Sequence, residues 1–242
     1  MPGSGQIPGT LFADNSIGRA EGDAVTALVV AMDGPSGSGK SSASRGVARA
    51  LGLRYLDTGA MYRAITWWML EHGVDVGDPQ AVAARADAAR LAITTDPEAP
   101  GVTVDGRDVS AEIRTQEVTS AVSAVSAVPQ VRARLVAEQR AIIGDGDIVV
   151  EGRDIGSVVA PGAAVKVYLT ASPEARARRR TAELTGTTLE AQRVAMARRD
   201  TLDSTRKADP LVMAADAIEL DTTELNLEEV IAEVLRLVKE RT

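Results

Sequence analysis

Cysteine is absent from this chain and histidine occurs once, as His72. Neither a disulfide framework nor a thiolate metal centre is available, and little remains for a zinc site. Aromatic residues are almost as scarce, with two Trp, three Tyr and one Phe in 242 residues. The core must therefore be packed mainly from Ala, Val, Leu and Ile, and nucleic-acid binding by base stacking is not expected. A basic excess is missing too. The formal net charge is −7, which argues against a general polyanion binder. No run of 18 or more apolar residues could span a membrane, and the opening residues lack the basic-then-apolar layout of a secretory signal. These absences lead us to expect a cytoplasmic protein with no membrane or nucleic-acid partner.

Residues 1–24 mix Gly, Pro, Ser, Asp and Asn without apolar periodicity, and MPGSG reads as linker or expression remnant, so a disordered tail is expected. From residue 25 the texture changes. Short apolar runs at Ala27–Met32, Arg54–Leu56, Ile148–Val150, Val165–Leu169 and Ala217–Leu220 read as buried parallel strands. Between them, helical spacing appears at Lys40–Leu51, Ala60–His72, Pro129–Ile143, Pro173–Leu184, Leu189–Asp200 and Leu227–Lys239. This alternation predicts a doubly wound, three-layer α/β/α domain over residues 25–242 with a five-stranded parallel sheet. The rhythm breaks between His72 and Pro129. There Ile93–Thr95 and Gly101–Val104, with an Asp105-Gly106 turn, suggest a small hairpin in an inserted subdomain of about residues 60–128.

The first strand runs straight into GPSGSGKS, Gly34 to Ser41, and a helix opens at Lys40. That context makes the string a Walker A loop. Its glycines let successive N–H groups turn inward toward phosphate oxygens, and the helix N-terminus adds its positive dipole end. The ATP-binding set is Gly34, Pro35, Ser36, Gly37, Ser38, Gly39, Lys40, Ser41 and Ser42. Lys40, one of four lysines, should reach the β and γ phosphates, and the Ser41 hydroxyl should ligate Mg²⁺. The apolar strand Ile148–Val150 ends in Glu151, where such proteins place the acid of the magnesium shell; Asp33 is the alternative.

A phosphate loop does not name a reaction. No NKxD-type guanine-reading motif is present, and a motor ATPase would normally be larger. Arginines scattered through Ala-rich helices point instead to a second anionic substrate. Arg63 and Arg153 are both predicted at the carboxyl edge of the sheet, where open α/β sheets bind ligands. Arginine suits such an anion because its planar fork binds phosphate oxygens in pairs. Arg199, Asp203 and Arg206, spaced four and three apart, share one helical stripe, which a plain surface ion-pair ladder would also explain.

Residues 171–210 carry nine basic side chains against six acidic ones. Within them, Arg176, Arg179 and Arg180 form one helix face that could fold over ATP as a lid of about residues 173–206; a solvated face is the other reading. Asp154 can accept a hydrogen bond from an amine, and Arg132 can donate to acceptors on a ring.

The string LDTGAMYRAI (Leu56–Ile65) is more specific. Together with GPSGSGKS, EIRTQEV (Glu112–Val118), VVEGRDIG (Val149–Gly156) and RRDTLDSTR (Arg198–Arg206), it resembles the bacterial cytidylate kinase family, in order and across nearly the whole chain after the tail. The resemblance implies transfer of the γ-phosphoryl group of MgATP to CMP or dCMP by a monomeric enzyme of pyrimidine metabolism. It implies that Arg63, Arg153 and Arg206 hold the monophosphate, that Asp203 takes the ribose hydroxyls with Arg199 supporting it, and that Ser123 joins Asp154 and Arg132 at the base. Thr58, Tyr62 and Arg114 complete the substrate set. Lys40, Arg153, Asp154 and Arg180 are the expected catalytic group. Two alternatives stay open: the same chemistry on UMP, AMP or a small metabolite alcohol, and a nucleotide-dependent switch with no small acceptor.

Overall fold

The computed structural model describes residues 27–144, 146–183 and 187–242. The 1–24 segment and Leu184, the expected end of one helix, lie outside them. In chain order the elements are β1 (Val29–Asp33), α1 (Lys40–Leu51), β2 (Arg54–Asp57), α2 (Thr58–Glu71) and α3 (Pro79–Ala84). A small sheet follows, β3 (Leu91–Ile93), β4 (Val102–Val104) and β5 (Arg107–Asp108), then α4 (Gln116–Ser126) and α5 (Pro129–Ile143). The chain closes with β6 (Ile148–Glu151), β7 (Val165–Thr170), α6 (Pro173–Glu183), α7 (Leu189–Thr205), β8 (Ile218–Asp221) and α8 (Leu227–Arg241).

The main sheet has the order β2-β6-β1-β7-β8, and every neighbouring pair is parallel. Its strands alternate sides with the two-residue period of extended chain. Ala31 joins one core cluster with Met61, Ile65 and Leu135; Val30 and Met32 join the other with Val47, Val230 and Val234. Helices thus cover both faces, with α2, α4 and α5 on one and α1 and α8 on the other, giving the expected three layers. Helix α8 shows how the packing arises. An Asn226/Glu229 capping box starts it, and its buried stripe Val230, Val234, Leu237 and Val238 follows helical spacing. Burying each such side chain stabilises the fold by roughly 1.5–3 kcal/mol.

Three expectations need correction. The inserted hairpin is a three-stranded antiparallel sheet in the order β3-β4-β5; the Asp105-Gly106 turn joins β4 to β5, and the first strand is Leu91–Ile93. Two-residue β5 carries Arg and Asp, both exposed, so no apolar run marks it. Strand β8 is not fully buried but an edge strand with alternate residues exposed. Helix α7 continues to Thr205, beyond the expected Asp200, because no Gly or Pro interrupts it. Among the described residues no helix is long and apolar enough to cross a membrane.

Candidate active site

All five strands of the main sheet point the same way, so their carboxyl ends share one edge, and the loops leaving that edge build a cleft partly open to solvent. Seven cationic side chains line it (Lys40, Arg63, Arg114, Arg153, Arg180, Arg199 and Arg206) against four carboxylates (Asp57, Glu151, Asp154 and Asp203). In a chain of net charge −7, that is a local inversion of sign.

One wall is the loop between β1 and α1. Gly34 has φ +144° and passes so close to β7 that an added Cβ would sit 2.1 Å from the Leu169 carbonyl oxygen. Only glycine fits there. The Lys40 ammonium is buried and folds back onto the loop, donating to the Pro35 carbonyl at 2.7 Å. Burial, and then Arg153, push its pKa well below the ordinary lysine value, against the opposing pull of Glu151 and Asp33. Ser41, the next residue, donates to Glu151 Oε2 at 3.0 Å. Glu151 ends β6, held in register between Met32 and Asp57, and its carboxyl is raised by burial and by Asp57.

Asp33 is differently engaged. Its two oxygens accept from the amides of Ile155 and Gly156 at 2.9 and 2.8 Å, and burial raises its pKa to about 6 in spite of them. It fastens the turn after β6 and does not line the cleft, which leaves Glu151 as the acid facing Ser41.

The opposite wall is assembled from distant segments. Arg153, just past β6, donates through Nε to Asp203 Oδ2 at 3.1 Å, and Ser123 of α4 donates to Asp203 Oδ1 at 3.1 Å. Burial alone would raise the Asp203 carboxyl, but Arg153, Arg199 and Arg206 outweigh it and hold the group below its usual range. Asp154 shows the reverse. Burial prevails over Arg132 and Arg206, and its carboxyl is raised, although Arg132 bonds one oxygen and Arg206 lies 3.6 Å from the other. Arg63, from α2, spends Nη1 on the Ile113 carbonyl and the Thr119 hydroxyl. Burial together with Arg199 and Arg180 lowers its pKa to about 9. Arg199 falls to about 10, from burial and then Arg153. Positive charge is thus crowded and partly desolvated at one spot, which a dianion would relieve.

A known family shares this sequence. The family model described as "Cytidylate kinase" matches residues 30–240. The chain belongs to the cytidylate kinase family. A cytidylate kinase from Streptomyces avermitilis is 57% identical over 219 residues, spanning 90% of this chain and 95% of that protein. The Streptomyces griseus cytidylate kinase is 59% identical over 88% of this chain and 94% of its own, and that of Nocardia farcinica 57% over 89% and 95%. Solved structures match more distantly. A shikimate kinase from Bacteroides thetaiotaomicron covers 88% of this chain and 98% of its own at 13% identity and a TM-score of 0.45.

Within this member of the cytidylate kinase family, most of the expected site residues meet at the cleft: Ser36, Gly37, Gly39, Lys40, Ser41, Ser42, Thr58, Tyr62, Arg63, Arg114, Ser123, Glu151, Arg153, Asp154, Arg180, Arg199, Asp203 and Arg206. Gly34, Pro35 and Ser38 do not line it; within the loop the Ser38 hydroxyl donates to the Pro35 carbonyl at 3.1 Å. Three arginines fall elsewhere. Arg132 lies behind Asp154, only 2% exposed, with Nε on Asp209 at 2.6 Å and Nη1 buried without a partner. Arg176 bonds Asp200 and, at 3.2 Å, the Ser36 carbonyl; Arg179 bonds Thr222 and, at 3.4 Å, the Ser38 carbonyl. Both brace the loop from outside. Arg199 bonds the Ser36 hydroxyl at 3.3 Å, so Asp203 has Arg153 rather than Arg199 as its hydrogen-bonded partner.

Other contributors went unread in the sequence. Asp57 caps α2, accepting from the Ala60 amide at 2.9 Å while lining the cleft, and its place just before Thr-Gly was an N-cap signal. Asp200 and Asp209 pair with arginines 24 and 77 residues away in sequence, which no local pattern announces.

Proposed function

We propose that this chain transfers the γ-phosphoryl group of MgATP to CMP or dCMP, releasing ADP and CDP or dCDP. The observation that carries this reading is the pair of facing anion sites in one cleft, the Gly34–Ser42 loop and the group of Arg63, Arg153, Arg199 and Arg206. Lys40 exchanges the Pro35 carbonyl for the β and γ phosphates of ATP. Arg63, Arg153 and Arg206 hold the acceptor phosphate, and Asp203, fixed by Arg153 and Ser123, takes the ribose hydroxyls. Asp154, seated between Arg132 and Arg206, faces the base and orients the acceptor.

Ser41 and Glu151 present hard oxygen donors side by side, which fits Mg²⁺ with the remaining positions left to phosphates and water. Bound there, Mg²⁺ would neutralise charge on the β and γ phosphates. The protein's own part is positioning. Two substrates held in line need no covalent intermediate, and arginines aimed at the transferring group stabilise its charge. Residues 173–206, carrying Arg180 and Arg199, serve as the lid that excludes water as a competing acceptor, with residues 60–128 as the acceptor-side subdomain. Arg176 and Arg179 serve ATP by bracing the loop. Every residue this reading uses lies on or behind one cleft of one chain, so a monomer suffices, and its substrates place it in the cytoplasm.

Coupled ADP-release assays with CMP, dCMP, UMP and AMP test the proposal. CMP and dCMP should accelerate ADP formation far above the rate with ATP alone. Equal turnover of AMP and CMP would overturn the cytosine assignment, and hydrolysis indifferent to any acceptor would overturn the kinase reading.

A further inference from the structure

Tyr55, the second residue of β2, takes no part in either wall of the cleft as described. It is 2% exposed, and it belongs to the core cluster of Ala43, Val47 and Val149. Its hydroxyl donates to Glu151 Oε1, while Glu151 Oε2 accepts from Ser41. The carboxylate is therefore gripped at both oxygens, on one side by the nucleotide loop and on the other by a phenol in the core.

The surrounding structure fixes that phenol. Strand β2 is the outer strand next to β6, in the register Tyr55 to Val149 and Asp57 to Glu151, so the two side chains come from adjacent, paired strands. The outer side of β2 is also secured, for the Tyr55 amide donates to the Thr95 carbonyl at 2.8 Å, just beyond β3. A glutamate has three side-chain torsions to settle, and a carboxylate used to order a cation needs one oxygen turned to the site and the other held.

We propose that Tyr55 is a positioning residue for the magnesium-side acid, anchoring Glu151 Oε1 so that Oε2 stays beside Ser41 and faces the cleft. This inference rests on the reading of Glu151 as the acid of the magnesium shell. Outer partners of metal-site ligands typically change metal affinity or activity by roughly 10- to 100-fold when removed. Tyr55 sits in that outer position, and it links the sheet, the inserted subdomain and the loop.

The test is Mn²⁺ binding to the full chain with a non-hydrolysable ATP analogue, followed by electron paramagnetic resonance, in the wild type, Tyr55→Phe, Glu151→Gln and the double variant. Tyr55→Phe removes one oxygen and leaves the ring in its core, so the fold should persist, as circular dichroism would record. It should weaken Mn²⁺ binding roughly 10-fold. Affinity for the analogue in EDTA should stay at the wild-type value, and the kinase rate lost at low Mg²⁺ should return at high Mg²⁺. In the Glu151→Gln background the same change should add no more than about 2-fold, because the two residues act as one unit. Unchanged Mn²⁺ affinity in Tyr55→Phe overturns the proposal, as does an equal loss with and without the Glu151 carboxylate. A Glu151→Gln chain that binds Mn²⁺ as the wild type does would instead refute the assignment of Glu151 itself, and the role of Tyr55 with it.

Discussion

The Gly34–Ser42 loop and the arginine wall opposite it hold anions by different means. The loop is a contiguous run whose shape comes from its backbone: a glycine pressed against Leu169 and one lysine folded onto the Pro35 carbonyl. The wall is made of side chains from α2, α4, α7 and the turn after β6, joined by ion pairs such as Arg153 to Asp203 and Arg206 to Asp154. A backbone site stays intact when a side chain is lost from it. A side-chain site depends on every partner, because removing one leaves another buried and uncompensated.

The largest effect should come from the loop. Lys40→Ala is expected to cut kcat roughly 1,000-fold, the scale of losing a donor aimed at transition-state charge. The thermal midpoint should not fall, since a charge that burial disfavours has been removed. Near-normal turnover would dismiss the loop as the donor site. In the wall, activity and stability should fail together. Arg153→Ala strips its partner from buried Asp203, so the KM for CMP should rise while urea denaturation shows a loss of roughly 2–3 kcal/mol. A stability unchanged by this variant would remove the distinction between the two halves.

Asp33 lies beneath both halves, and its contribution should appear as a pH dependence of stability. Its folded pKa of about 6 exceeds the ordinary 3.8, so the folded chain holds this proton more tightly than the unfolded one. The associated stability is fully present below about pH 4 and is lost as pH rises through about 6. Denaturation of the wild type and Asp33→Asn at several pH values should show the wild type losing ground by up to roughly 3 kcal/mol across that window. A constant difference would rule the shift out. The smallest effect should come from a brace. Arg176→Ala should raise the KM for ATP by roughly 3- to 10-fold and leave that for CMP unchanged, because its bonds reach the Ser36 carbonyl from behind the loop. Equal changes in both KM values would move Arg176 into the acceptor site.

The same difference explains what could be read in advance. Strands β1, β6 and β7 are short apolar runs in a sheet covered on both faces, so hydropathy alone finds them. The loop is legible because its whole geometry is encoded in eight consecutive residues. Edge strand β8 looked like the others because its apolar residues are real, but its place at the end of the sheet, with no further strand beside it among the described residues, is a property of the sheet. Helix α4, in an Ala/Val/Ser-rich stretch, places Ser123 against Asp203 and so inside the site, a role that no local spacing marks.

The GPSGSGKS string and the arginines scattered beyond it determined, from sequence alone, that this chain handles phosphate at a strand end, because a tight phosphate turn needs its glycines and its lysine in fixed local order. Tertiary structure alone decided which arginines face the cleft. Arg132, Arg176 and Arg179 read like Arg63 and Arg153 in sequence, yet they sit behind the surface as braces, paired to Asp154, Asp200 and Thr222. The physical reason is range. Backbone conformation is set by neighbours along the chain, whereas the role of a buried charge is set by whichever opposite charge the fold brings to it.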